Sequence, residues 1–157
     1  MAIIATYKRL PFVEGDPDDY RPNSSAAFLV DPGVSERERV EDITFVSEEI
    51  APGDRIPAHD HPVSEVMVIQ HGRPEVRLGD ERREVEPGTV IFIPARVAHG
   101  VTNRTDDAVR IYAMFPTQRI GVRYIERNPA PGTEKDAPQP EFALDMRELS
   151  PLFLTEA

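Results

Sequence analysis

No apolar stretch in this chain runs far before a turn interrupts it. The runs are AAFLV (26–30), EDITFVSEEI (41–50), EVMVIQ (65–70), PEVRL (74–78), TVIFI (89–93), HGVTN (99–103), AVRIYAMF (108–115) and IGVRYI (120–125). Between them stand Asp31-Pro32-Gly33, Ala51-Pro52-Gly53-Asp54, His71-Gly72, Gly79-Asp80, Glu86-Pro87-Gly88 and Asn103–Asp107. Runs of this length, alternating and closed by Gly or Pro, suit strands and leave no room for long helices. Many short strands at regular intervals predict an all-β sandwich or barrel.

The flanks differ from this core. Residues 11–25 hold Pro11, Pro17 and Pro22 among Gly15, Asp16, Asp18 and Asp19, and read as an N-terminal surface arm. A short helix is considered over Val34–Val40. Residues 126–140 carry four prolines and no apolar run, which predicts an extended surface segment. The following EFALDMREL places Phe142, Met146 and Leu149 at i, i+4 and i+7, the spacing of two helical turns. Its apolar ending PLFL (151–154) suggests a tail that docks, on its own barrel or on a partner subunit. At 157 residues the chain is read as one domain, 1–157, with a barrel core of about 26–125 and a C-terminal extension of 126–157.

Composition excludes several function classes. A net charge of −10 and a pI near 4.8 repel phosphate backbones, so no nucleic-acid partner is expected. The arginines of 73–83 are interleaved with Glu75, Asp80 and Glu81, the mark of a solvated mixed-charge face. No segment is long and apolar enough for a membrane helix, and the N-terminus lacks the pattern of a signal peptide. Cysteine is absent, which removes thiolate chemistry and fits a cytoplasmic location.

Two spacings concentrate the chemistry. Residues 53–72 read Gly-x5-His-x-His-x3-Glu-x6-Gly, through Gly53, His59, His61, Glu65 and Gly72. Residues 88–103 read Gly-x5-Pro-x4-His-x3-Asn, through Gly88, Pro94, His99 and Asn103. Residues two apart on a strand share a face, so His59 and His61 are neighbours and Glu65 has their parity. A second strand beside the first would bring His99 to them. Three imidazoles and a carboxylate form a sufficient ligand set for one divalent transition metal, whether Fe, Mn, Ni, Zn or Cu. A single histidine is more often structural, and His71 beside a turn glycine is read that way. Three uncoordinated imidazoles and a carboxylate inside an apolar barrel would be costly to bury.

Both patterns resemble the two motifs of the cupin superfamily. The first is matched without departure; in the second, Arg96 stands where the motif has a glycine. That substitution bears on a local turn rather than on the ligands. The resemblance covers about residues 40–116. It implies a double-stranded β-helix, or jelly-roll, barrel of a single cupin domain, with metal on His59, His61, Glu65 and His99. It also implies a homodimer, with a Pro-rich tail able to cross over.

Three function classes follow. The resemblance inclines the reading toward a non-haem dioxygenase or other oxygenase acting on a small molecule. The alternatives are a redox-neutral isomerase, lyase or cyclase using the metal as a Lewis acid, and a non-catalytic ligand-binding barrel. Glu65 is a candidate base, and Tyr112 and Arg110 are candidate catalytic groups on an alternating strand. Gln70, Met67 and Asn103 are candidates around the substrate, and Arg96, near the expected mouth, is a candidate anion holder.

Overall fold

Alternate residues of each apolar run turn inward, and two facing sheets result. The computed structural model describes residues 3–12, 16–33 and 39–156; the helix considered for 34–40 falls mostly on 34–38, outside the described residues. Strands β1 (Ala5–Tyr7), β2 (Leu10–Pro11) and β3 (Ser25–Leu29) lead into β4 (Thr44–Ile50), β5 (Arg55–Asp60) and β6 (Glu65–His71). Then come β7 (Glu75–Leu78), β8 (Glu81–Glu84), β9 (Val90–Ile93), β10 (His99–Thr102), β11 (Val109–Phe115) and β12 (Arg119–Tyr124). The tail adds β13 (Phe142–Asp145), the one-turn helix α1 (Met146–Leu149), a 3-10 turn at Ser150–Leu152 and β14 (Leu154–Glu156).

One six-stranded sheet has the order β13-β12-β5-β10-β7-β8, and the other β2-β3-β4-β11-β6-β9. All their pairings are antiparallel, as expected of a jelly-roll barrel. A small β1–β14 sheet joins the two ends of the chain. In β11, Val109, Ile111, Ala113 and Phe115 are buried while Arg110 is exposed, the alternation of a half-buried strand. One core cluster draws Ile50, Met67, Ile69, Ile91 and Ile111 from one sheet and Ile56, Val76 and Val101 from the other. A second holds Val30, Val46, Ala113, Phe115, Ile120 and Met146. Each large aliphatic side chain so buried contributes about 1.5–3 kcal/mol, which makes these clusters the main source of stability.

Two expectations about the flanks need correction. The described residues of 11–25 are not a free surface arm but lie partly buried, at Asp18, Asp19, Arg21 and Ser24. Their charges find partners on the barrel, including an Arg127–Asp18 ion pair that ties down the Pro-rich stretch. Residues 141–149 do not form two helical turns. Phe142–Asp145 instead pairs with β12, whose edge would otherwise leave backbone groups unpaired, and a helix begins only at Met146. Asp145 caps it by accepting from the Arg147 backbone N–H at 3.0 Å. The tail docks on its own barrel: Met146, Ser150 and Phe153 are buried, and Phe153 meets Phe28 edge-on at 5.7 Å.

One irregularity positions the site. Pro57 and Ala58 of β5 lie opposite the single residue Gly100 of β10, so the register shifts between His99↔His59 and Val101↔Ile56. This bulge accommodates a proline that has no N–H to give a ladder. It also reverses the inward parity, letting both Ile56 and His59 face the interior cavity. A side chain at Gly100 would place its Cβ 2.8 Å from the Ile56 carbonyl oxygen, so the close approach of β10 to β5 requires glycine.

Candidate metal centre

The bulge delivers His59 from β5 and His61 from just past its end, while His99 opens β10 directly opposite His59. Glu65 opens β6 in the facing sheet, so the fourth group reaches the cluster from across the barrel rather than from a neighbouring strand. One donor atom from each of the four residues lies within 4.8 Å of all the others. The imidazole centroids are 4.4 Å apart for His59–His99, 4.8 Å for His59–His61 and 5.3 Å for His61–His99.

Backbone carbonyls set the orientation of the rings. Nδ1 of His59 sits 2.8 Å from the Pro57 oxygen, that of His61 2.7 Å from the Gly121 oxygen, and that of His99 2.9 Å from the Val97 oxygen. A carbonyl only accepts, so each Nδ1 carries the proton and each Nε2 is left with a lone pair. Nε2 of His99 lies 2.7 Å and Nε2 of His61 3.4 Å from Oε2 of Glu65. Yet none of these three buried atoms makes a well-aligned hydrogen bond among the described residues. Lone pairs and a carboxylate oxygen converging on one point, with their outer nitrogens anchored, fit a cation.

The electrostatics agree. Burial, reinforced by His99 and His61, pushes His59 down to about 3 and so keeps it neutral. Burial would raise the Glu65 carboxyl, but the His61 and His99 imidazoles beside it outweigh that and hold it at about 2. For His99, the Glu65 carboxylate overcomes burial and raises its affinity for a proton. The set therefore presents a carboxylate held as the anion and, at His59, an imidazole held neutral.

His59, His61 and Glu65 of the cluster line a cavity of about 150 Å³. Apolar and aromatic side chains make most of the rest, among them Phe12, Phe28, Met67, Phe115 and Phe142. Against them stand polar groups that the motifs do not announce. Arg21 bonds Asp19 in two parallel contacts of 2.9 Å and reaches Glu48 at 3.2 Å. Burial raises the Asp19 and Glu48 carboxyls even with Arg21 beside them. The Tyr124 hydroxyl donates to Asp16 at 2.6 Å, and burial together with nearby carboxylates raises its pKa. Glu48 shares the inward parity of Val46 and Ile50, a signal present in the strand run EDITFVSEEI. Asp19 and Arg21 lie in an irregular Pro/Asp segment whose path no periodicity reveals.

Of the remaining candidates, only Met67 joins the cavity. Gln70 and Arg110 are exposed on the outer faces of β6 and β11, where Arg110 bonds Glu49 at 2.9 Å. Tyr112 also faces outward and packs against Phe45 at 4.9 Å. All three have the opposite parity from Glu65 or Ala113, so their assignment to the site is corrected. Asn103 is wholly buried but occupied: its amide donates to Ile50 and Asp107 carbonyls, and its oxygen accepts from Thr105. It ties a loop beyond the far end of β10 and does not line the cavity. Arg96 pairs with Asp60 at 3.2 Å and Glu141 at 2.9 Å, outside the cavity, which removes it as a substrate holder there. His71 is exposed and lies 2.8 Å from Asp107, a surface role as expected.

Fold and cluster together define a class: a jelly-roll barrel holding a three-histidine, one-glutamate cluster inside. Residues 46–115, which contain all four candidate ligands, match the cupin domain model, and the fold around them is that of a cupin barrel. Similar solved structures include the polyketide cyclase RemF from Streptomyces resistomycificus, at 22% identity and TM-score 0.63, covering 84% of this chain and 89% of that one. A Cupin 2 conserved barrel domain protein from Salinispora arenicola is 26% identical, with TM-score 0.52 over 59% of this chain and 75% of the other. Salicylate 1,2-dioxygenase from Pseudoaminobacter salicylatoxidans, seen in adducts with gentisate, is 17% identical at TM-score 0.54, covering 66% of this chain and 27% of that one. A comparison with curated proteins finds no match. Among the described residues, no helix is long and apolar enough to cross a membrane.

Proposed function

We propose that this protein is a metal-dependent, redox-neutral enzyme of the isomerase, lyase or cyclase kind, acting on a small enolisable carbonyl compound. A single observation carries the reading. A buried carboxyl group with a raised pKa, Glu48, lines the same cavity as the ligand cluster.

A divalent transition metal on His59, His61, Glu65 and His99 supplies a Lewis acid for a substrate oxygen. The chain supplies the proton chemistry. Arg21 offers one positive charge to two carboxylates, and it holds Asp19 by two contacts but Glu48 by one. Asp19 is thereby committed as the ion-pair partner, and Glu48 retains freedom to carry a proton. A carboxyl shifted upward toward neutrality is suited both to take a proton from the carbon beside a carbonyl and to return it elsewhere. The aromatic wall excludes water from that exchange. Glu65, whose Oε2 lies 2.7 Å from His99 Nε2 and 3.4 Å from His61 Nε2, is read as a ligand rather than the base. The likeness to a polyketide cyclase over most of both chains supports a carbon–carbon or proton-transfer reaction of this kind.

An oxygenase is the second reading, favoured by the likeness to a salicylate dioxygenase and by a histidine and carboxylate donor set that would also suit iron. The test is hydrogen–deuterium exchange at C1 of 2-tetralone, followed by NMR under nitrogen with metal-loaded protein. Exchange without oxygen, reduced about 100-fold or more in Glu48→Gln at unchanged metal content, is expected. Substrate-dependent oxygen uptake with no anaerobic exchange would favour the oxygenase instead.

A further inference from the structure

The Arg21 guanidinium is not fully used by the described residues. Nε and Nη2 are held by Asp19 and Glu48, and the guanidinium carbon sits 4.1 Å from the centre of the Phe12 ring. Nη1 has no acceptor among the described residues, although Arg21 is only 2% exposed. A buried donor left unmatched costs about 1–3 kcal/mol, and such a group in a native structure calls for a reason. Arg21 lines the same cavity as His59, His61 and Glu65, together with Phe12, Phe28 and Phe142.

We propose that Arg21 is the substrate-anchoring residue of this cavity, its Nη1–H donating to a neutral carbonyl oxygen of an otherwise apolar, aromatic substrate. The proposal rests on the reading of the cavity as the substrate site. Charge selects the ligand class. The guanidinium already serves Asp19 and Glu48, and Asp16 and Glu65 bring the carboxylates lining the same cavity to four. An incoming carboxylate would bring another negative charge into a low-dielectric space, whereas a ketone offers a lone pair at no such penalty. Arginine donates and never accepts, so the oxygen it meets must be an acceptor. Neighbouring Phe12 then presents one face to the guanidinium and its edge to the apolar body of the ligand.

The probes are acetophenone, its oxygen-free counterpart ethylbenzene, and benzoate, tested on metal-stripped protein so that any donor to the oxygen is the protein's own. In the wild type, the infrared carbonyl stretch of bound acetophenone should move to lower frequency. In Arg21→Lys, acetophenone should bind ten-fold or more weakly, while ethylbenzene changes less than two-fold. Since Arg21 supports two buried carboxylates, D19N/R21M/E48Q, which removes all three charges together, serves as a second variant with the same expectation. An unshifted carbonyl stretch in the wild type, equal losses for ketone and hydrocarbon, or benzoate as the tightest ligand would each overturn the assignment. Metal content, measured on the same preparations before stripping, separates the two readings. A protein that takes no metal but keeps the ketone effect refutes the metal-dependent enzyme and leaves Arg21 as the anchor.

Discussion

Nδ1 of His61 lies 2.7 Å from the carbonyl oxygen of Gly121, so a strand that carries no candidate ligand aims one of the four. β12 pairs with β5 through Arg123↔Asp60 and Tyr124↔His59, which holds that carbonyl in place. A Cβ at Gly121 would stand 2.8 Å from the Cδ and Cγ of Pro62, next to His61. Gly121→Ala should therefore displace the carbonyl and lower metal affinity about 10–100-fold, the usual effect of losing such a partner. Competition against a chelator measures it, with circular dichroism confirming a folded barrel. Unchanged affinity would mean that His61 needs no such support.

His99→Ala removes the imidazole nearest Glu65 and should lower metal affinity by about 100-fold or more, at least as much as an outer partner does. Glu65→Gln keeps the shape but removes the anion, and should have a comparable effect. Elemental analysis of untagged protein reads both. Full metal occupancy in either variant would show that the ion binds elsewhere.

Arg96 has φ 65°, the left-handed region where a non-glycine residue is strained by about 1–2 kcal/mol. Its side chain is compensated by Asp60 and Glu141. Arg96→Gly relieves the strain and loses those contacts, so thermal stability should change by no more than about 1 kcal/mol, with metal content intact. A large loss of either would give this side chain a part in the barrel that its position outside the cavity does not suggest.

Asp60 is buried between Arg96 and Arg123. Burial raises its carboxyl, but hydrogen bonds from Arg123 and Arg96 outweigh that and hold it below the usual value of 3.8. The folded state thus binds this proton less readily than the unfolded chain. The stability it contributes is present above the unfolded value and fades as pH falls through the lowered one. Asp60→Asn should cost about 1–3 kcal/mol from pH 7 to 5, and the gap to wild type should close below about pH 4. Denaturant midpoints across that range test the sign; a gap that widens in acid would refute it.

The barrel and its ligand cluster were legible because both depend on local pattern. Inward parity of 59, 61 and 65 and the turn glycines follow from strand geometry, and Gly53 and Gly88 do take positive φ values of 83° and 93°. Parity alone was insufficient for Arg110, Tyr112 and Gln70: it put them on one face but did not say which, until Ile111 and Ile69 claimed the interior. The strand at Phe142–Asp145 was hidden because its cause is non-local, an unpaired edge of β12 that outweighs a helical spacing. Asp19 and Arg21 were hidden for a related reason. Their burial comes from a segment folding onto the barrel, and polar residues among prolines read locally as solvent-facing.

Part of the cavity wall has a separate origin from the histidines. Phe12, Asp19 and Arg21 precede the stretch shared with the family, and Phe142, Leu144 and Met146 follow it. A division of labour results, in which the barrel core positions the candidate ligands and the two chain ends complete the cavity beside them. Exchanging those ends between related barrels should therefore transplant selectivity while sparing the reactive centre.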